Sequence, residues 1–68
     1  MGSSGLRAEV RRELERAGVA CARAREHLVQ AGAECVAGGR GDMEATLQTF
    51  HEILLHLEKM ITEYRATI

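Results

Sequence analysis

Residues 36–42 read Val-Ala-Gly-Gly-Arg-Gly-Asp, and this segment decides the fold. Glycine ends helices by adopting left-handed backbone, and aspartate is favoured where a new helix begins. The segment therefore predicts helix 1 over about residues 6–36, a turn over 37–41 and helix 2 over about 43–67, with Asp42 as the N-cap. Because the turn is short, we expect the two helices to lie side by side in opposite directions.

Apolar or small residues recur on both sides of this turn at alternating intervals of four and three, which is the spacing of a coiled-coil helix. Folding the chain at the glycines brings the two runs face to face over eight layers. The runs are Val10, Leu14, Ala17, Cys21, Ala24, Leu28, Ala31 and Cys35 on helix 1, and Met43, Leu47, Phe50, Leu54, Leu57, Ile61, Tyr64 and Ile68 on helix 2. We expect an all-α fold, an antiparallel and coiled-coil-like two-helix hairpin.

Small residues of helix 1 stand opposite large residues of helix 2 in this arrangement. Alanines at three layers face leucine or isoleucine, and this alternation fills the space between closely spaced helices without voids. The residues expected to form the hairpin core are Leu14, Cys21, Ala24, Leu28, Ala31, Leu47, Phe50, Leu54, Leu57, Ile61 and Tyr64.

A second stripe of small and apolar residues lies beside the first on helix 1, interrupted by an arginine, and helix 2 adds two apolar residues outside its own run. One partner helix cannot cover this much apolar surface, so we expect two hairpins to dimerise into a four-helix bundle. The expected partner interface consists of Gly18, Ala22, Arg25, Val29, Gly32, Val36, Ile53 and Met60.

Two glycines lie inside helix 1, where each costs about 0.5–1 kcal/mol relative to alanine. We interpret Gly18 and Gly32 as positions where a partner helix approaches closely. The alternative is that helix 1 kinks or breaks at one of them. On the same side of the hairpin, Arg25 and Glu58 are placed to pair across the two helices.

The composition excludes several classes of protein. A chain of 68 residues forms one small domain, and a net charge of −1 argues against a strongly basic nucleic-acid-binding protein. No apolar run approaches the roughly 18 residues that a membrane span needs. Residues 1–5, Met-Gly-Ser-Ser-Gly, have the composition of an expression-tag remnant, so we expect them to be disordered and the chain to be a piece of a longer protein.

The two cysteines, Cys21 and Cys35, lie on one helix, and a helical rise of about 1.5 Å per residue separates them by roughly 21 Å. A disulfide within the chain is excluded at that distance. Both occupy core positions, where a thiol packs as a small apolar group. Free thiols fit a reducing compartment, and we expect a cytoplasmic protein.

Two short motifs resemble functional signatures, but neither indicates chemistry here. His51 and His56 are five residues apart, one more than the spacing at which two histidines bind zinc from one helix face. Arg40-Gly41-Asp42 spells a cell-adhesion tripeptide, but glycine and aspartate are also what this turn needs. Neither cysteine has a histidine on its face, and no serine follows residue 5. We expect no enzymatic activity, no catalytic residue, no cofactor and no metal site.

These patterns favour a non-enzymatic protein–protein association module, a hairpin that self-associates as a homodimer and oligomerises or scaffolds a larger protein. A second interpretation is a hairpin that docks a helix of a different protein in the same small-residue groove. An interpretation of another class is a small helical ligand-binding or enzymatic bundle. We expect no nucleic-acid partner and no membrane partner.

Overall fold

The computed structural model describes residues 3–68 and consists of two helices packed against each other as a hairpin. Helix α1 spans Ser3–Ala37 and helix α2 spans Gly41–Thr67. The molecule is a rod of 57 × 14 × 11 Å, which is one helix deep. The expected all-α hairpin is therefore confirmed, and no helix in residues 3–68 has the length and apolar character to cross a membrane.

Helix α1 ends in a glycine motif that satisfies its last carbonyl groups. Gly39 has a φ of +73°, and its amide donates to the carbonyl oxygen of Val36 at 3.1 Å. The next amide, that of Arg40, reaches back to the carbonyl oxygen of Cys35 at 2.8 Å. These two bonds form a Schellman motif, which requires left-handed backbone at its central residue. The chain reverses here because Gly39 adopts that conformation without a steric penalty.

Helix α2 begins earlier than the sequence predicted. Its first helical residue is Gly41 and Arg40 occupies the N-cap, where its side chain makes no capping hydrogen bond. The prediction that Asp42 is the N-cap is therefore wrong. The carboxylate of Asp42 lies within the first turn and accepts two hydrogen bonds from the Arg40 guanidinium, at 3.0 and 2.9 Å. That position still favours an acidic side chain, because the amino-terminal end of a helix is electropositive.

Helix α1 is continuous through both of its internal glycines. The interpretation that it breaks at Gly18 or Gly32 is thus excluded. The helix also begins at Ser3, so residues 3–5 are helical where disorder was expected, while residues 1 and 2 lie outside the described residues. Residues 5–9 are all exposed, and the first half-buried position is Val10. The start of α1 therefore projects beyond the contact with α2.

One face of α2 contacts α1. The half-buried residues of this helix, with Ile68 after it, follow a single heptad spacing, and we call this set the inner seam. The inner seam consists of Glu44, Leu47, His51, Leu54, Glu58, Ile61, Arg65 and Ile68. Four of its members are aliphatic and four are polar or charged, so the contact between the helices is only partly apolar.

Four residues expected in the hairpin core are exposed. Phe50, Leu57 and Tyr64 are 48%, 41% and 58% exposed, and Ala31 on α1 is exposed as well. Each of the three on α2 immediately precedes a member of the inner seam, and one residue corresponds to about 100° of rotation around a helix. Helix α2 is therefore turned about its axis relative to the expected arrangement.

Helix α1 is also rotated about its axis relative to the expected arrangement. Its contact face includes three half-buried residues that were expected in the core, Leu14, Ala24 and Leu28. It also includes four half-buried residues that were expected to meet a partner molecule, Gly18, Ala22, Arg25 and Gly32. Cys21, at 9% exposure, is the one buried apolar side chain among residues 5–68. Two helices alone cannot surround a side chain on all sides, so the hairpin has a contact face but hardly any core.

Candidate association surface

The exposed side of α2 carries a second heptad-spaced set, which we call the outer seam. It consists of Met43, Thr46, Phe50, Ile53, Leu57, Met60, Tyr64 and Thr67, all exposed. Six of these residues are large and apolar or aromatic, with exposures between 41% and 60%. Since one aromatic side chain alone covers about 150–250 Å², the outer seam presents several hundred Å². That is comparable with the roughly 300–600 Å² of the largest apolar patch on a typical monomer.

The two seams of α2 differ by a shift of one residue along the whole helix. Each outer-seam residue is followed directly by an inner-seam residue, from Met43 and Glu44 to Thr67 and Ile68. The seams are consequently about 100° apart around the helix axis. The two seams therefore lie on adjacent faces of α2.

The side of the hairpin opposite the outer seam is its charged flank. There two ion pairs, Arg25–Glu58 and Glu15–Arg65, join α1 and α2. The guanidinium of Arg25 donates two hydrogen bonds to the carboxylate of Glu58, one from Nε to Oε2 and one from Nη2 to Oε1 at 3.0 Å. Their side chains are 25% and 19% exposed. Glu15 and Arg65 approach to 4.0 Å across the same pair of helices. The expected pairing of Arg25 with Glu58 is confirmed.

These contacts shift the ionisation of the paired groups. The hydrogen bond from Arg25 lowers the pKa of Glu58, partial desolvation opposes this effect, and the charges of Arg25 and nearby His51 add to the lowering. The same hydrogen bond raises the pKa of Arg25. At the turn, the hydrogen bond from Arg40 lowers the pKa of Asp42. The two pairs are bidentate, a geometry that Arg favours with carboxylates.

The expected partner interface does not form one surface. Arg25 is hydrogen-bonded to Glu58 of its own hairpin. Val29 and Val36 are exposed beside Gly32 on the charged flank. Ile53 follows His51 by two positions, and Met60 follows Glu58 by two positions. Two positions correspond to a rotation of about 200°, so Ile53 and Met60 lie on the far side of α2. The expected interface is thus divided between two opposite flanks.

A shallow groove of about 280 Å³ opens on the charged flank near the turn. Its walls are Leu28, Val29, Gly32, Ala33 and Val36 of α1 and Glu44, Leu47, Gln48 and His51 of α2. The glycine in this groove makes no close approach to α2. A Cβ atom built on Gly32 or on Gly18 meets no atom of α2 within 4 Å.

The two threonine hydroxyls of the outer seam donate hydrogen bonds within α2. The hydroxyl of Thr46 donates to the backbone carbonyl oxygen of Asp42 at 3.3 Å. The hydroxyl of Thr67 donates to the backbone carbonyl oxygen of Tyr64 at 2.7 Å. A buried hydroxyl without a partner would cost free energy. Because both threonine donors have partners, the outer seam can lose its water without leaving either donor unpaired.

Residues with catalytic or metal-binding potential are dispersed. Both cysteines are free, with Cys21 buried and Cys35 half-buried. Within residues 3–68, no group of three or more histidine, cysteine or acidic side chains could hold a metal ion. The outer seam contains one titratable group, the phenol of Tyr64.

Comparison of the chain with models of known protein families gave no match, and neither did comparisons with curated proteins and with solved structures.

Proposed function

We propose that this chain is a non-enzymatic protein–protein association module, and that it self-associates through the outer seam of α2 to oligomerise or scaffold a larger protein. The observation that carries the proposal is the outer seam itself, an apolar stripe at coiled-coil spacing along α2 with no partner within the hairpin. Burying apolar surface contributes about 25 cal/mol per Å², so several hundred Å² per molecule provide a strong driving force.

Two further features support association over catalysis. The polar side chains of the charged flank pair with one another, as Arg25 does with Glu58. The outer seam, in contrast, is made of aliphatic, aromatic and thioether side chains with threonines whose hydroxyls are satisfied. A surface of this kind recognises another apolar helix face. It offers neither an activated nucleophile nor a general base.

Two leucines of α2 provide a matched test. Leu57 lies on the outer seam and is 41% exposed, while Leu55 is 49% exposed and is separated from Leu57 by a rotation of about 200°. We expect the unmodified chain at micromolar concentration to have about twice its 7.5 kDa mass by light scattering. Leu57→Glu should reduce the mass to that of one chain, and Leu55→Glu should leave it doubled.

Each other outcome counts against self-association through this seam. If the unmodified chain has the mass of one molecule even at high concentration, self-association fails, and docking of a different protein's helix replaces it. If Leu57→Glu and Leu55→Glu are equally dimeric, the contact lies elsewhere. Helical content measured by circular dichroism separates loss of association from loss of folding.

A further inference from the structure

We infer that the occupant of the outer seam is α2 of a second copy, lying antiparallel to the first across a two-fold axis between Ile53 and Leu57. This inference rests on the proposed function and adds the identity, direction and register of the partner helix. A two-fold contact uses the same patch on both molecules, so that patch must be complementary to itself.

The outer seam is self-complementary in the antiparallel direction. Pairing Ile53 with Leu57 of the second copy places Phe50 against Met60 of the second copy. The next layers pair Thr46 with Tyr64 of the second copy, and Met43 with Thr67 of the second copy. Each layer then combines a large residue with a smaller one, or two residues of similar size. Layers of even volume pack helices without voids.

The parallel direction lacks this match. In register, it would place Phe50 on Phe50 of the second copy and Tyr64 on Tyr64 of the second copy, while the Thr46 and Thr67 layers would each hold two small residues. Such uneven layers leave gaps beside crowded positions. The antiparallel direction alone offers a methionine sulfur to Phe50, a contact that is favourable at aromatic rings.

Charge favours the same direction. The first turn of α2 carries Asp42 and Glu44. A parallel pair would bring four carboxylates together at one end, whereas an antiparallel pair places them at opposite ends of the contact. The helix dipoles also run in opposite directions in the antiparallel pair, so the electropositive end of each helix lies near the electronegative end of the other.

Both helices of the hairpin contribute area to this contact. A stable interface buries about 800 Å² on each partner. The outer seam supplies several hundred Å² of this. Ala24 and Ala31 of α1 immediately precede Arg25 and Gly32, as Leu57 precedes Glu58, so helical geometry places them on the same flank as the outer seam. A second hairpin seated on this flank covers surface of both helices.

Disulfide formation between variants that each carry one added cysteine tests the direction. Thr46→Cys and Tyr64→Cys are prepared separately, mixed, oxidised, and analysed by mass spectrometry of the cross-linked peptides. The antiparallel register predicts the mixed disulfide, because Thr46 and its equivalent are then 18 residues, or roughly 27 Å, apart along the axis. A parallel register predicts disulfides within each variant and none between them.

A third variant leaves the outer seam unchanged. His56 precedes Leu57 at the edge of the outer seam, and in the antiparallel pair the two copies of His56 meet at the two-fold axis. His56→Cys alone should therefore form a disulfide-linked dimer. Unmodified chain, with Cys21 and Cys35, serves as the control for background linkage.

The outcomes separate this inference from the proposed function. If the chain has doubled mass but each of Thr46→Cys and Tyr64→Cys forms disulfides only with its own copies, the antiparallel direction is overturned and self-association is retained. A chain of doubled mass in which none of the three variants forms a disulfide places the contact on another face and overturns the inference. A chain of single mass overturns both.

Discussion

The inner and outer seams of α2 have the same length and heptad spacing but opposite chemistry. The inner seam, which contacts α1, alternates aliphatic residues with Glu44, His51, Glu58 and Arg65. The outer seam, whose members are all exposed, holds the phenylalanine, the tyrosine and both methionines of residues 3–68. The intramolecular contact thus uses the more polar face of α2, and the more apolar face stays exposed.

This difference has a physical explanation in the Arg25–Glu58 pair. A polar group at a seam position contributes little stability but specifies how two helices are turned against each other. Arg25 has a bidentate partner only when α2 presents Glu58 to α1. The pair therefore favours the inner seam as the contact of the hairpin, with Phe50, Leu57 and Tyr64 turned outward.

The largest effect is expected on the outer seam. Phe50→Ala removes an aromatic ring from two layers of the dimer, since each copy contributes one. We expect the dimer dissociation constant to rise at least tenfold, equivalent to about 1.4 kcal/mol or more. Sedimentation equilibrium measures this constant. Val29→Ala on the charged flank is the control, and an equal effect of the two substitutions would contradict the distinction between the flanks.

On the inner seam, Leu54→Ala should destabilise the hairpin itself. Because Leu54 is half-buried, its truncation is expected to lower the free energy of unfolding by about 2 kcal/mol, the lower end of the range for leucine-to-alanine substitutions. Leu55→Ala, on the exposed side of the same helix, should cost under about 0.5 kcal/mol. Chemical denaturation followed by circular dichroism compares them. Equal losses of unfolding free energy would show that the inner seam is not the intramolecular contact.

A smaller effect, and of opposite sign, is expected at the internal glycines. Because a Cβ at Gly18 or Gly32 meets no atom of α2 within 4 Å, alanine should stabilise α1 by about 0.5–1 kcal/mol at each position. Thermal melting at fixed concentration measures the gain, and light scattering should show an unchanged mass. A weakened dimer would instead place a partner helix on the charged flank, as the sequence first suggested.

The smallest expected effect is the loss of hairpin stability at low pH. Arg25 lowers the pKa of Glu58 below its ordinary 4.5, so the folded state binds this proton less readily than the unfolded chain does. The stabilising contribution is present above the unfolded pKa and is lost as pH falls through the lower folded value. We expect unfolding curves from pH 6 to 3 to show this loss.

Glu58→Gln should remove that part of the pH dependence. Asp42→Asn, which removes a pair local to the turn, should leave it in place. An unchanged pH profile in Glu58→Gln would indicate that the cross-helix pair does not contribute to folding.

The two helices and their turn were predictable because each depends on local chemistry. Gly38 and Gly39 mark the helix end, and the apolar spacing around Leu14, Leu28 and Leu54 is shared by every plausible packing. Local rules also predicted Asp42 at the start of α2, as its N-cap, and the structure places it in the first turn. These features do not require knowledge of how the helices are rotated.

The rotation was not predictable from apolar spacing alone. Because the two seams are offset by one residue and share a heptad period, Leu47, Leu54 and Ile61 fit a contact that includes either Phe50 and Leu57 or His51 and Glu58. Hydrophobicity favours the first choice, and the cross-helix ion pair favours the second. The pairing of Arg25 with Glu58 was visible in the sequence, and it was the signal that could have resolved the ambiguity.

The positive φ at Gly39 governs the length of the molecule as well as its direction. If that residue took ordinary helical backbone, α1 and α2 would fuse into one continuous rod of about 65 residues, roughly 98 Å long. Such a rod could recover its lost contacts only by exchanging halves with a neighbour. The backbone conformation of Gly39 therefore determines whether the chain folds as a hairpin or as an extended helix that exchanges halves with a neighbour.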